Sequence, residues 1–271
     1  MRTVLRGLKH VAAVAGIAAI CSAALPAIAA AGPANRAIEK SRNAQRTQFS
    51  DAEIIEGFLK TTLGSELQRG NASYRIRKYD GPVRVFIDNQ GKPDRSRQVA
   101  AIVEDIARKI NHLDLRLTAQ RDEANVVITL IPERAFAKTL RKHFGAEQAR
   151  KIQRSLEPQC LAGLAKDESF RITRSDVILV SNVSDFVFND CGYEEILQAL
   201  GPINDDDSVP WSMFNDDVSL GYFGVYDQLL LNILYDPRIK AGMTRAEALA
   251  VLPEILPDVR AFVARTNSPL R

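Results

Sequence analysis

The stretch Cys191-Gly192-Tyr193-Glu194-Glu195-Ile196-Leu197-Gln198-Ala199-Leu200-Gly201-Pro202, with Ile203-Asn204-Asp205-Asp206-Asp207 and Trp211-Ser212-Met213 behind it, decides how the chain is read. On a helical wheel Tyr193, Ile196, Leu197 and Leu200 fall on one stripe, while Glu194, Glu195 and Gln198 spread over the opposite face. This helix therefore has a core side and a polar side. Gly201 ends it, because glycine accepts the left-handed C-terminal conformation, and Pro202 cannot continue the hydrogen-bond ladder.

The spacing of the polar residues resembles the metzincin metalloproteases, which carry H-E-x-x-H-x-x-G-x-x-H (or Asp) on a helix and a Met-containing turn downstream. Glu194 stands at the first His, Glu195 at the Glu, Gln198 at the second His, Gly201 at the Gly and Asn204 at the third ligand. Ser212-Met213-Phe214 looks like the Met-turn, and every metal-binding His is replaced. The run Glu194-Glu195-x-x-Gln198-x-x-Gly201, with Asn204-Asp205, Phe214-Asn215-Asp216 and Leu234-Tyr235-Asp236-Pro237-Arg238, more closely resembles an exported bacterial family, domain of unknown function 2927. Together the two resemblances imply an α+β, zincin-like fold: a mixed β-sheet, a degenerate active-site helix and a mainly helical C-terminal part.

Upstream, Pro82 to Ile87 reads as a strand, Arg95 to His112 as an amphipathic helix, and Leu113 to Ala119 and Ala124 to Ile131 as two further strands. Strand, helix, strand, strand is also how a zincin N-terminal half begins. Tyr74 to Tyr79 alternates like an edge strand. Glu133 to Leu156 reads as a helix broken near Gly145, and Arg171 to Ser181, with Val177-Ile178-Leu179-Val180, as a strand covered on both faces. By resemblance that strand is expected beside the cleft.

Downstream, Tyr226, Leu229, Leu230, Ile233 and Leu234 recur at helical spacing, and in the resembled families a helix here packs behind the active-site helix. Ser50-Asp51-Ala52-Glu53 and Thr244-Arg245-Ala246-Glu247 are capping boxes, and Pro253 and Pro257 are expected to divide the last helical region into short pieces.

Residues 1–29 read as a secretory signal peptide: Arg2, Arg6 and Lys9 without an acid, the apolar run Val11 to Leu25, and Ala27-Ile28-Ala29 as a small-residue cleavage site. A membrane anchor is the rival reading, disfavoured by Pro26 and Gly32-Pro33, and Ile20 before Cys21 disfavours a lipid anchor. Residues 30–48 read as a flexible leader, 49–265 as a single domain and 266–271 as a tail. The full chain has 36 basic and 33 acidic side chains, and loss of the signal's three basic ones leaves 33 against 33. Such a balance gives no electrostatic case for nucleic acid or an anionic membrane. Export permits Cys160 and Cys191 to pair, a bridge worth about 3–4 kcal/mol in the chain-entropy picture, against the alternative of two buried thiols.

Zinc needs His, Cys or carboxylate ligands and an open water position. Glu194 suits it, the amides of Gln198 and Asn204 do not, and the remaining histidines, His112 and His143, read as surface or capping residues. Glu195 would be the general base of a metal-dependent hydrolase with non-His ligands. Glu194 and Glu195 diverge by about 100° on a helix, so they cannot face each other across a glycosidic bond. Oxygen donors abound in Glu194, Asp205, Asp206, Asp207 and the pair Asp216-Asp217, the donor type that Ca²⁺ or another hard divalent cation prefers. The plain alternative is a set of solvated turns and caps, just as Trp211 beside Met213 reads as core packing. Three functions follow in order: a non-catalytic binding protein of the envelope with a protein, peptide or envelope component as partner, a metal-dependent hydrolase, and a calcium-stabilised module.

Overall fold

The computed structural model describes residues 33–63, 74–155 and 160–268. The signal-peptide reading, with Cys21 and its cleavage site, lies outside these residues. Twelve-residue helices α1 (Pro33–Ala44) and α2 (Asp51–Thr62) come first. They are followed by β1 (Val83–Asn89), α3 (Ser96–Lys109), β2 (Leu115–Leu117), β3 (Val126–Ile131), α4 (Phe136–Ser155), β4 (Cys160–Lys166) and β5 (Ile172–Val180). The chain closes with α5 (Asp185–Gln198), α6 (Val225–Tyr235) and α7 (Arg245–Thr266).

The strands form one mixed sheet in the order β2-β1-β3-β5-β4. The first four are mutually parallel, and β4 runs antiparallel on the edge beside β5. Parallel neighbours need a crossover, and α3 supplies it between β1 and β2. Side chains alternate across a strand, and β5 shows the result: Val177 and Leu179 enter the main core, while Ile178 and Val180 enter a smaller one with Ile131, Phe136 and Leu140 of the α4 side. The main core holds α2, α3, α5, α6 and α7, and every residue of α6 is buried. Polar side chains of α6 are satisfied internally: Asn232 donates to the carbonyls of Lys109 and Gln228, and Gln228 donates to that of Phe223. No helix of the described residues is long and apolar enough to cross a membrane.

Cys160 and Cys191 are disulfide-bonded and tie the edge strand to the middle of α5. Ser50 and Thr244 close complete capping boxes on α2 and α7. Gly145, at φ 79°, breaks α4 where a kink is expected.

Three sequence expectations give way. Residues 33–44 form a helix rather than a flexible leader, because Ile38 is buried against Gly221 and Arg42 lies 5.4 Å over the Tyr222 ring. Tyr74 to Tyr79 is no strand but a crossing segment, with single bridges from Arg75 to Thr244 and from Lys78 to Arg171. The strand β4, which the sequence reading did not include, forms one edge of the sheet and β2 the other, while β5 lies inside. Finally, α7 runs through Pro253 and Pro257 unbroken, since burial of Leu252, Ile255, Leu256, Val259 and Val263 on one side outweighs the lost ladder bonds.

Candidate functional site

Helix α5 is N-capped by Ser184, whose hydroxyl accepts the Val187 N–H, nearly three turns (at about 3.6 residues each) before Glu194. Gly192 lets it press on α3, since a Cβ there would lie 2.7 Å from the Ile102 Cδ1. The Tyr193 hydroxyl donates to Asp105 at 3.0 Å. At the other end the orphan carbonyls are taken up: Ser175 on β5 donates to Ala199 and Tyr235 on α6 to Leu200, both at 2.8 Å. Gly201 terminates the helix at φ 140°, and a Cβ would stand 2.5 Å from the Arg77 carbonyl oxygen, so the position requires glycine.

The polar side of α5 is not a solvated face. Glu194 is half-buried, while Glu195 and Gln198 are each only 6% exposed. Gln198 donates from Nε2 to both Asp205 carboxylate oxygens at 2.9 Å. Glu194, Asp205 and Asp216 each bring a carboxylate oxygen within 4.8 Å of the others. These three form the group of acids in the described residues that could share one cation.

Two expected members sit elsewhere. Asn204 turns away, its amide donating to the Lys60 carbonyl at 2.9 Å. Asp206 caps its own turn, accepting the Ser208 backbone N–H and the Ser208 hydroxyl. Asp216, which the sequence offers only as one of many loop acids, takes the place expected of Asp206. Burial, and after it the charges of Asp207 and Asp217, holds its carboxyl above the ordinary range. His112 lies in the turn after α3 and His143 on α4, neither in the cluster.

The bend after the loop is anchored from below. Ser212 donates to Asp227 Oδ1 at 2.6 Å, the Met213 N–H reaches Oδ2 at 3.1 Å, and the Phe214 N–H returns to the Ser212 hydroxyl at 3.0 Å. Met213 and Phe214 are thereby held in the core, and the Phe214 carbonyl accepts the Asp206 N–H at 2.8 Å, joining bend and acidic loop. Asp227 is fully buried, and burial, only partly offset by these two donors, pushes it up to about 7. Sequence reading missed Asp227; the available signal is a lone acid inside a helix whose every residue is otherwise uncharged.

Trp211 is not core packing. It is 41% exposed on the wall of a 270 Å³ cavity, with the Arg46 guanidinium 4.8 Å over its ring and Phe49 at 6.2 Å.

Over residues 51–254 the chain matches the family described as "Protein of unknown function (DUF2927)". No curated protein matches it.

Proposed function

Because this chain belongs to the DUF2927 family, whose description carries no activity, we propose its function from geometry: an exported binding protein of the periplasm or extracellular space, built on a zincin-like scaffold that no longer holds zinc. The scaffold reading is supported by the antiparallel edge strand β4 preceding α5 and by the buried Met213 bend next to the acidic loop. The export reading rests on the sequence of residues 1–29 and on the disulfide, which suits an oxidising compartment.

One observation carries the non-catalytic reading: the motif positions are spent on internal contacts. Gln198 points its amide N–H groups at Asp205, Asn204 is bound to Lys60, and Glu195 is buried instead of facing an open water position. Zinc, which the metzincin resemblance implies, does not fit this donor set, since only Glu194 among the three ligand positions offers a suitable atom. The test is peptide cleavage with the purified mature chain, with and without added Zn²⁺ or Mn²⁺. No cleavage is expected, and no difference in Glu195→Gln. Cleavage by the wild-type chain that disappears in Glu195→Gln would replace this reading with the hydrolase.

The three converging carboxylates favour a second reading, a hard divalent cation such as Ca²⁺ on Glu194, Asp205 and Asp216. Thermal denaturation in Ca²⁺ and in EDTA checks it: a melting temperature raised by Ca²⁺ in the wild type and unmoved in Asp216→Asn is expected.

A further inference from the structure

A cavity of about 590 Å³ lies away from the α5 motif, where the crossing segment Lys78–Gly81 meets the turn after α3 and the loop between α6 and α7. Its ionisable lining is mostly basic: Lys78, His112, Arg171 and Lys240 against Asp80 and Asp114. The Asp114 carboxylate already holds Arg84 and Arg116, each at 2.9 Å, and Asp236 behind the wall holds Arg238 at 2.8 Å. Arg171 in turn is held by Asp167 at 2.8 Å.

Lys78 is the unusual member. It is only 7% exposed, and its ammonium donates to the Ile239 carbonyl at 3.0 Å and the Asp236 carbonyl at 3.4 Å, 5.2 Å from the Tyr235 ring. An ammonium has three donors, so two are committed and one remains for a guest in the cavity that Lys78 lines. The Lys78 hydrogen bonds go only to carbonyls, and Asp80 and Asp236 act on it through space without an ion pair, so a buried ammonium here gains from a directly bound anion. Burial, with Lys240 adding to it and Asp80 and Asp236 opposing, holds Lys78 down to about 8. His112 reaches the same wall through a left-handed backbone, φ 62°, a strained conformation for a non-glycine residue that clusters at ligand sites. Between the charges the walls are apolar: Pro82, Leu113, Pro237 and Ile239.

The geometry points to a binding site for a small organic anion, a phosphate or carboxylate on a compact apolar body, with Lys78 and Lys240 receiving the charge and the prolines and Ile239 the body. This site is separate from α5 and stands whether or not the binding reading of α5 does. Isothermal titration at low salt, with phenyl phosphate, benzoate and inorganic phosphate as probes, tests it. Saturable one-to-one binding of phenyl phosphate or benzoate is expected, at least about tenfold tighter than inorganic phosphate because only the ring reaches the apolar wall. The stronger of the two organic probes tells phosphate from carboxylate. Lys78→Met should weaken binding by about tenfold or more and the exposed Lys240→Gln by about threefold, while Arg97→Gln at the far end of α3 should leave it unchanged. Lys240→Gln keeps the test alive if Lys78→Met fails to fold. No saturable binding of any probe, unchanged affinity in Lys240→Gln, or equal weakening in Arg97→Gln would overturn the assignment.

Discussion

Asp227 and the cluster of Glu194, Asp205 and Asp216 lie on neighbouring parts of one polypeptide layer, yet they solve the burial of carboxylates in opposite ways. Asp227 is alone, wholly buried, and served by a hydroxyl and a backbone N–H that are themselves part of the bend it supports. The cluster is partly wet and crowded with like charge, and the Gln198 amide donates to Asp205 within it. Crowding of like charge, rather than depth, separates a structural post from a position that a counterion would stabilise.

The largest expected effect comes from the buried post. With its folded value near 7 and an ordinary carboxylate value when unfolded, Asp227 binds a proton more readily in the native state. Its contribution to stability is therefore fully present below about pH 4 and is lost as pH rises through about 7, a change on the order of 3–4 kcal/mol. Asp227→Asn keeps an acceptor for Met213 and a partner for Ser212 without a charge. Urea denaturation from pH 5 to pH 8 should show wild-type stability declining relative to Asp227→Asn, with the variant the more stable at pH 8. Parallel curves for the two proteins would show that Asp227 is not the deeply buried acid described above.

How far these two regions were legible in the sequence follows from what holds each together. The spacing of Glu194, Glu195 and Gln198 and the Gly201 stop are local, so the α5 motif and its end read directly, as do β3 and β5 from their apolar runs. The start of α5 at Ser184 and the strand β4, with its small residues Ala162, Gly163 and Ala165, are less visible: β4 becomes a strand by pairing with β5 and by the bond from Cys160 to Cys191. Which acids gather was a matter of loop closure. Asn215 donates to the carbonyls of Asp207 and Val209 and folds the second acidic run back on the first, which brings in Asp216, while Ser208 withdraws Asp206. Such contacts span only a few residues, but they depend on a bend fixed from α6, and no periodicity encodes that. The basic cavity was equally hidden, because Lys78, His112, Arg171 and Lys240 come from four separate segments.

An intermediate effect should come from turning the donor of the cluster into another acid. Gln198→Glu removes two amide contacts to Asp205 and sets a fourth carboxylate beside it in a position 6% exposed. A loss of about 2 kcal/mol at pH 7 is expected from the missing charge-assisted bonds and the new repulsion. Much of it should return at pH 5, where the two acids can share a proton, and in millimolar Ca²⁺ if the cluster accepts a cation. Chemical denaturation at both pH values measures this, and an unchanged midpoint would mean that Gln198 does not hold Asp205 in solution.

The smallest effect is also the sharpest, because its sign separates a tolerated crowd of acids from a stabilising one. Asp216 is the exposed member of the trio and is surrounded by Asp207 and Asp217. In EDTA, Asp216→Asn relieves repulsion and should raise stability by about 0.5 kcal/mol, a value kept small by solvent screening and shrinking further in salt. In Ca²⁺ the order should invert, since the wild type alone keeps three carboxylates for the cation. Melting curves of the two proteins under both conditions give four values, and it is their crossing that matters: Asp216→Asn above the wild type in EDTA and below it in Ca²⁺. If the variant melts lower in both, Asp216 acts through its turn rather than its charge, and the contrast with Asp227 drawn from crowding of like charge fails at this residue.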